Sequence, residues 1–261
     1  MLFTWLRNWR RRRLLAQPFP PRWLEYLRKN VAHYQYLTDA EQAKLRDDLR
    51  IFIAEKYWEG CGGLTMTDEI KVTIAAQVCL LVLGLKHNYF ERVQSILVYP
   101  RAYRDAEEHV SEDGLIHVDS PGRLGEAHYR GPVILSWADV LADGRHPGGG
   151  QNVVYHEFAH QLDMLNNLID GTPPLETREQ YQRWRDVMTA EYHKLIDDSQ
   201  RGRATLLDQY GTKNEGEFFA VATECFFDKP AQLAARHPEL YDLLRQYYHQ
   251  DPAARCQSRE R

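Results

Sequence analysis

The residues best suited to chemistry in this chain lie in the stretch VVYHEFAHQLD, positions 153 to 163. On an α-helix, side chains four residues apart share a face, so His156 and His160 can aim both imidazoles at one point. Two ring nitrogens about 2.0–2.1 Å from a single ion make half of a tetrahedral zinc site. Glu157 stands beside His156 and off that axis, where its carboxylate can take the proton of a water polarised by the ion. This is the mechanical content of the pattern H-E-x-x-H. The bland alternative is a surface helix carrying a histidine pair and a solvated glutamate. Context weighs against it, because a Gly-rich loop and a candidate strand precede the stretch. In addition, Val153, Val154, Phe158, Leu162 and Leu165 supply an apolar side that turns the polar triplet away from the core.

A catalytic zinc needs a third protein ligand and one open position. The continuation H-x-x-G-x-x-H is absent, since Asp163 stands at the glycine and Asn166 at the third histidine. A downstream carboxylate is the remaining source. The run QYGTKNEGEFFAVATECFF, 209 to 227, offers Glu217 and Glu224 on one helical face, and by spacing either one reaches a metal. Against Glu217 stands the pattern Asn214-x-x-Glu217, an N-cap with its N3 glutamate, which commonly serves only a helix start. Ligating histidines usually donate their other N–H to a carboxylate or carbonyl. Asp163 and Glu224 are the candidates for that support, with an ordinary helix-surface salt bridge as the alternative for each.

The elements that must position these residues are legible in outline. After the proline-rich break at 18–21, helical periodicity begins at Trp23, Leu24 and Leu27. A second helix opens on the capping box Thr38-Asp39-Ala40-Glu41 and is expected to run to the glycine cluster at 60–63. Thr67-Asp68-Glu69 caps a third, apolar helix. The runs SILVYP (95–100), LIHVD (115–119) and GPVILSW (131–137) read as strands, the last either interior or an edge able to pair with an extended peptide. Helical periodicity then returns: the motif stretch, a helix from the Thr177-x-x-Gln180 box to about Asp197, and another starting near Asn214. Tyr241, Leu244, Tyr247 and Tyr248 fall at helical spacing and read as core, whereas His87 and His193 lack a partner pattern and read as surface. The expected fold is α+β: a mostly helical single domain with a small mixed sheet. Residues 1–20 form a basic N-terminal arm, 21–250 the domain with 21–90 as a helical lobe, and 251–261 a flexible tail.

Composition narrows the class. A chain of 261 residues with 43% hydrophobic residues can bury a full core, and a net charge of −4 calls for no polyanionic partner. The run Arg10 to Arg13 is too short and isolated to argue direct nucleic-acid binding. The basic N-terminus lacks the apolar h-region of a secretory signal. It could lie on a membrane surface, but its short apolar face favours a solvated arm. The apolar run from Ile74 to Leu85 is far shorter than the roughly 20 residues that span a bilayer, so no transmembrane segment is expected. Cys61, Cys79, Cys225 and Cys256 show no C-x-x-C spacing, which fits a reducing cytoplasm.

Two blocks, HEFAHQLDMLN with DGTPPL and then EFFAVATECFF behind Tyr210, closely resemble the Mlc titration factor A family of bacterial zinc-dependent peptidases. The similarity runs from roughly Pro20 to Tyr248. No departure is seen at the motif positions, while the N-terminal arm and the tail lack matching motifs. The resemblance implies one Zn2+ per chain, held by His156, His160 and Glu217, with Glu157 as general base. It also implies Tyr210 as the group that stabilises the oxyanion, a packed core tyrosine being the alternative. A zincin-like, gluzincin-type core similar to that of the anthrax lethal factor protease domain is implied as well.

Two functions from different classes follow. One is a cytoplasmic zinc metallopeptidase of aminopeptidase or short-peptide type. The other, implied by the resemblance, is a regulator of sugar-transport genes that binds a Mlc-type repressor and whose zinc site has little turnover. A structural zinc protein is disfavoured, because three ligands are in view and structural sites are normally closed by four.

Overall fold

The computed structural model describes residues 2–101 and 132–257. Helix α1 (Leu2–Leu15) is followed by α2 (Pro21–Asn30), which starts on a proline whose missing N–H would have no helical partner anyway. A 3-10 turn (Ala32–Tyr36) leads to α3 (Asp39–Glu55). The capping box of α3 is closed on both sides: Glu41 N donates to Thr38 Oγ1 (3.3 Å) and Thr38 N to Glu41 Oε2 (2.9 Å).

Helix α3 does not reach the glycine cluster. It ends at Glu55, and Tyr57–Gly60 form strand β1. The chain leaves the helix at Lys56, whose ammonium is drawn inside to donate to the Phe90 carbonyl at 2.7 Å. Gly60 is required by a close approach, since a Cβ there would lie 2.0 Å from the Leu64 carbonyl oxygen.

Helix α4 (Asp68–Leu81), capped by Thr67, is buried on almost every side and packs against α2, α3 and two helices that follow the sheet. It is therefore the hydrophobic axis of the fold, and all-round burial explains why its apolar residues show no single stripe. Strand β2 (Ser95–Tyr99) pairs parallel with β1, and β3 (Val133–Ser136) pairs parallel with β2 on its other side. The described sheet is thus parallel and not mixed. Parallel neighbours need a long crossover, which α4 provides between β1 and β2. The strand expected at 115–119 lies outside the described residues. Among the described strands β3 is at an edge, and its Ser136 caps the helix that follows.

That helix is α5 (Trp137–Arg145). Then come α6 (Val153–Asp163), α7 (Arg178–Gln200) with the Thr177/Gln180 box closed, α8 (Glu215–Asp228), α9 (Pro230–Arg236), α10 (Pro238–Tyr248) and α11 (Pro252–Gln257). One continuous hydrophobic cluster runs from Leu27 to Ala253, so the helical segment 21–90 shares its core with the rest of the chain. Tyr241, Leu244 and Tyr248 are buried in it. The segment expected as a solvated arm is α1, lying against α3, and the segment expected as a flexible tail begins with α11. His193 is exposed, but His87 is not a surface residue: its ring is nearly buried, with Nε2 3.5 Å from the Asp48 carboxylate. No described helix is long and apolar enough to cross a membrane.

Candidate metal centre

The helix that carries the motif is locked at its start. Asn152 caps α6 by accepting from Tyr155 N (3.0 Å), and its own Nδ2 donates to Gln77 Oε1 (2.9 Å) inside α4. The Asn152 backbone N–H donates to Glu224 Oε2 on α8 (2.7 Å), and Val153 N donates to Asp143 Oδ2 on α5 (3.0 Å). Val154, Tyr155, Phe158, Ala159 and Leu162 are buried, which fixes the rotation of α6 and leaves His156 and Glu157 partly exposed beside a buried His160. Gln77 is a member of this clamp that sequence patterns gave no sign of, because a lone glutamine in an apolar helix carries no spacing signal.

Helix α8 packs directly on α6 and brings its carboxylates to the histidines. Asn214 caps α8 by accepting from Glu217 N at 2.9 Å. The N3 position is therefore used as a helix start, yet the Glu217 side chain is turned toward the histidines. Its Oε2 lies 3.0 Å from His156 Nε2 and 3.4 Å from His160 Nε2, and the two Nε2 atoms are 3.3 Å apart. Three potential ligand atoms thus form one compact triangle. Its edges match the spacing of about 3.3 Å between ligands at the corners of a tetrahedron with 2.0–2.1 Å bonds. Two imidazole nitrogens and a carboxylate oxygen are a donor set that zinc accepts, so the residues fit a metal ion.

The far nitrogen of His156 is also engaged: Nδ1 lies 2.5 Å from Oε1 of the buried Glu224. This contact directs Nε2 toward the triangle and, in the neutral ring that binds a metal, keeps the remaining proton on Nδ1. Burial alone would lower the pKa of His156, but its hydrogen bonds to Glu217 and Glu224 outweigh that and raise it to about 10. Burial likewise pushes Glu217 up, yet the two histidines bring it down to about 2. Glu224, deeper inside, is raised by its own desolvation. Without a metal the triangle is therefore a proton-sharing cluster, and an ion entering it must displace that proton.

Asp163, the other supporting candidate, is fully buried and its Oδ2 accepts from the Gly171 backbone N–H (2.9 Å). Burial raises its pKa to about 6, opposed by that hydrogen bond, while nearby His160 favours its charged form. Gly171 has φ +71°, and a Cβ there would meet the Glu215 carbonyl oxygen at 2.4 Å. Asp163 thus fastens the loop after α6 beneath the first turn of α8.

Tyr210 sits on a one-turn 3-10 helix (Gln209–Thr212) started by Asp208, whose carboxylate accepts from Tyr210 N at 2.8 Å. It is 44% exposed, which excludes the packed-core placement. Its ring centroid is 5.9 Å from that of His156, at the rim of the triangle. The Lys213 ammonium stands 3.5 Å from the Tyr210 ring centroid, a cation–π contact that no sequence pattern signalled.

A family model described as glucose-regulated metallo-peptidase M90 matches residues 6–249. The chain belongs to this metallopeptidase family. A Synechocystis protein described as uncharacterized is 38% identical over 97% of this chain and 92% of its own length. The Mlc titration factor A of Klebsiella pneumoniae is 31% identical over 84% of this chain and 83% of that protein. The protein of the same name from Yersinia pestis is 29% identical over 97% and 91%. Membership in the M90 family implies a metal ion, and His156, His160 and Glu217 are the described residues that can hold one.

Proposed function

We propose that this chain is a cytoplasmic zinc metallopeptidase of aminopeptidase type, in which His156, His160 and Glu217 hold one Zn2+ and Glu157 is the general base. The observation that carries the reading is the convergence of two imidazole nitrogens and one carboxylate oxygen within 3.4 Å of one another. Bound there, zinc would polarise the scissile carbonyl and make water acidic enough to react near neutral pH. Glu157, next to His156 on the partly open side of α6, takes the proton of the attacking water on its carboxylate and passes it to the departing amine. The Tyr210 hydroxyl donates a hydrogen bond to the developing oxyanion. Glu224 holds His156 in the productive orientation through Nδ1. Strand β3, at an edge of the described sheet and in contact with α6, offers backbone along which an extended peptide pairs. Cys61, Cys79 and Cys225 form no disulfide, which is consistent with a reducing compartment.

The test is hydrolysis of a panel of short peptides and aminoacyl substrates by the zinc-loaded protein and by Glu157→Gln. The wild type should turn over at least one class, and the variant should lose that activity while keeping zinc. Turnover by Glu157→Gln at the wild-type rate sinks the mechanism.

The name of the relatives supports a second role, binding of a Mlc-type transcriptional repressor. It can coexist with catalysis, since a fold and its site do not fix the partner. Glu157→Gln separates the two: repressor binding should survive the substitution that abolishes hydrolysis.

A further inference from the structure

Helix α1 reverses the usual arrangement of a surface helix. Its side against the fold is held by charge: Arg7 pairs with Glu91, and Arg11 binds Glu55 through two hydrogen bonds of 2.6 and 2.7 Å while its guanidinium lies 4.5 Å from the Tyr89 ring centroid. From α3, the buried Arg50 closes the far end by donating to the carbonyls of Leu14 and Gln17. Its outer side carries the apolar groups. Trp5, Leu6 and Trp9 are 62%, 37% and 45% exposed, and helical spacing sets them side by side. Arg10, Arg12 and Arg13 border them without a carboxylate partner among the described residues, the Arg13 guanidinium lying 5.7 Å from the Trp9 ring centroid. No acidic residue occurs before Glu25, so a chain of net charge −4 concentrates positive charge at this one place.

We propose that this outer face of α1 is a membrane-contact surface that seats on an anionic lipid leaflet. Scattered apolar residues on a surface need no explanation, but two tryptophans and a leucine grouped beside three arginines that no described carboxylate pairs do. Indole is apolar over its rings and polar at its N–H, which suits the depth of lipid headgroups. Guanidinium is weakly hydrated and binds phosphate oxygens in pairs. Because the inward arginines anchor the helix, the face is presented already folded, so little ordering cost remains on contact. The helix lies flat on the leaflet and spans nothing, consistent with the absence of a membrane-crossing helix among the described residues.

The experiment is flotation of the full chain with vesicles of phosphatidylcholine and phosphatidylglycerol, beside vesicles of phosphatidylcholine alone. Wild type, Trp5→Ala/Trp9→Ala and Arg10→Gln/Arg12→Gln/Arg13→Gln are compared, each checked for an unchanged melting temperature. Wild type should float with the anionic vesicles only, and less so as ionic strength rises above about 0.15 M. Each variant should bind roughly tenfold more weakly or worse. The proposal is overturned if wild type does not float with anionic vesicles, or if both variants float as it does. Retention on polyglutamate or on single-stranded DNA without vesicle binding also overturns it, and assigns the face to an acidic macromolecule instead.

Discussion

His156 is held from both ends of its ring: Nδ1 lies 2.5 Å from Glu224 Oε1, and Nε2 lies 3.0 Å from Glu217 Oε2. The first contact orients the ring, and the second places Nε2 in the triangle with His160.

That division of labour predicts unequal losses. Glu224→Gln should weaken zinc binding by roughly ten- to a hundredfold, the usual cost of removing the partner of a ligating histidine. Glu217→Ala, which removes a corner of the triangle, should lose most of the metal. Competition with a calibrated chelator measures the first, and elemental analysis of the purified protein the second. Equal zinc content in wild type and Glu217→Ala would remove Glu217 from the ligand set.

The proton shared by the cluster predicts a pH dependence whose sign can be worked out. In metal-free protein His156 is raised from 6.5 to about 10, so its contribution to stability is complete below 6.5 and is lost as pH rises through about 10. Glu217 is lowered from 4.5 to about 2, so its contribution is present above 4.5 and is lost as pH falls through about 2. These are two views of one contact, and together they define a plateau between 4.5 and 6.5. Melting temperatures of chelator-treated protein should decline on the alkaline side, and His156→Gln should lack that decline. Apparent zinc affinity should move the other way and strengthen with rising pH, because His156 Nε2 must give up its proton to bind metal.

Tyr210→Phe should lower kcat by about a hundredfold with little change in KM, the size expected for removing one oxyanion donor. Because Tyr210 is 44% exposed and only its hydroxyl is removed, the unfolding free energy of the variant should stay within about 0.5 kcal/mol of wild type. Steady-state kinetics and a denaturant titration decide it. A proportionate fall in stability would recast Tyr210 as a packing residue.

Asp163→Ala should destabilise the fold by about 1–3 kcal/mol, since it leaves the Gly171 N–H without its buried acceptor. Chemical denaturation of the metal-free protein checks this without interference from zinc. A stability equal to wild type would show that the loop after α6 is held by other contacts.

Much of this molecule was written locally in its sequence. The boxes at Thr38/Glu41 and Thr177/Gln180, the Thr67 cap and the Asn214 cap all mark helix starts found in the structure, because capping is settled within one turn of chain. The i, i+4 spacing of His156 and His160 likewise set a shared face before any packing was known. Strand β1 was not legible: its four residues follow α3 with no turn signal, and only pairing with β2 makes them a strand. The parallel direction of the sheet was also hidden, since direction depends on where the connecting helix crosses. Spacing offered Asp163 and Glu224 equally as supports for the histidines. Packing of α8 on α6 put Glu224 against His156 Nδ1, and the turn at Gly171 drew Asp163 Oδ2 into the loop. The same holds for α1, where five arginines are visible in sequence but contacts with Glu55 and Glu91 decide which of them face inward and leave Trp5 and Trp9 outside. Local hydrogen bonding and periodicity thus determined the elements and the chemistry they can carry. Which long-range partner each polar group meets was decided only when the helices packed, because that choice depends on side chains brought together from distant parts of the chain.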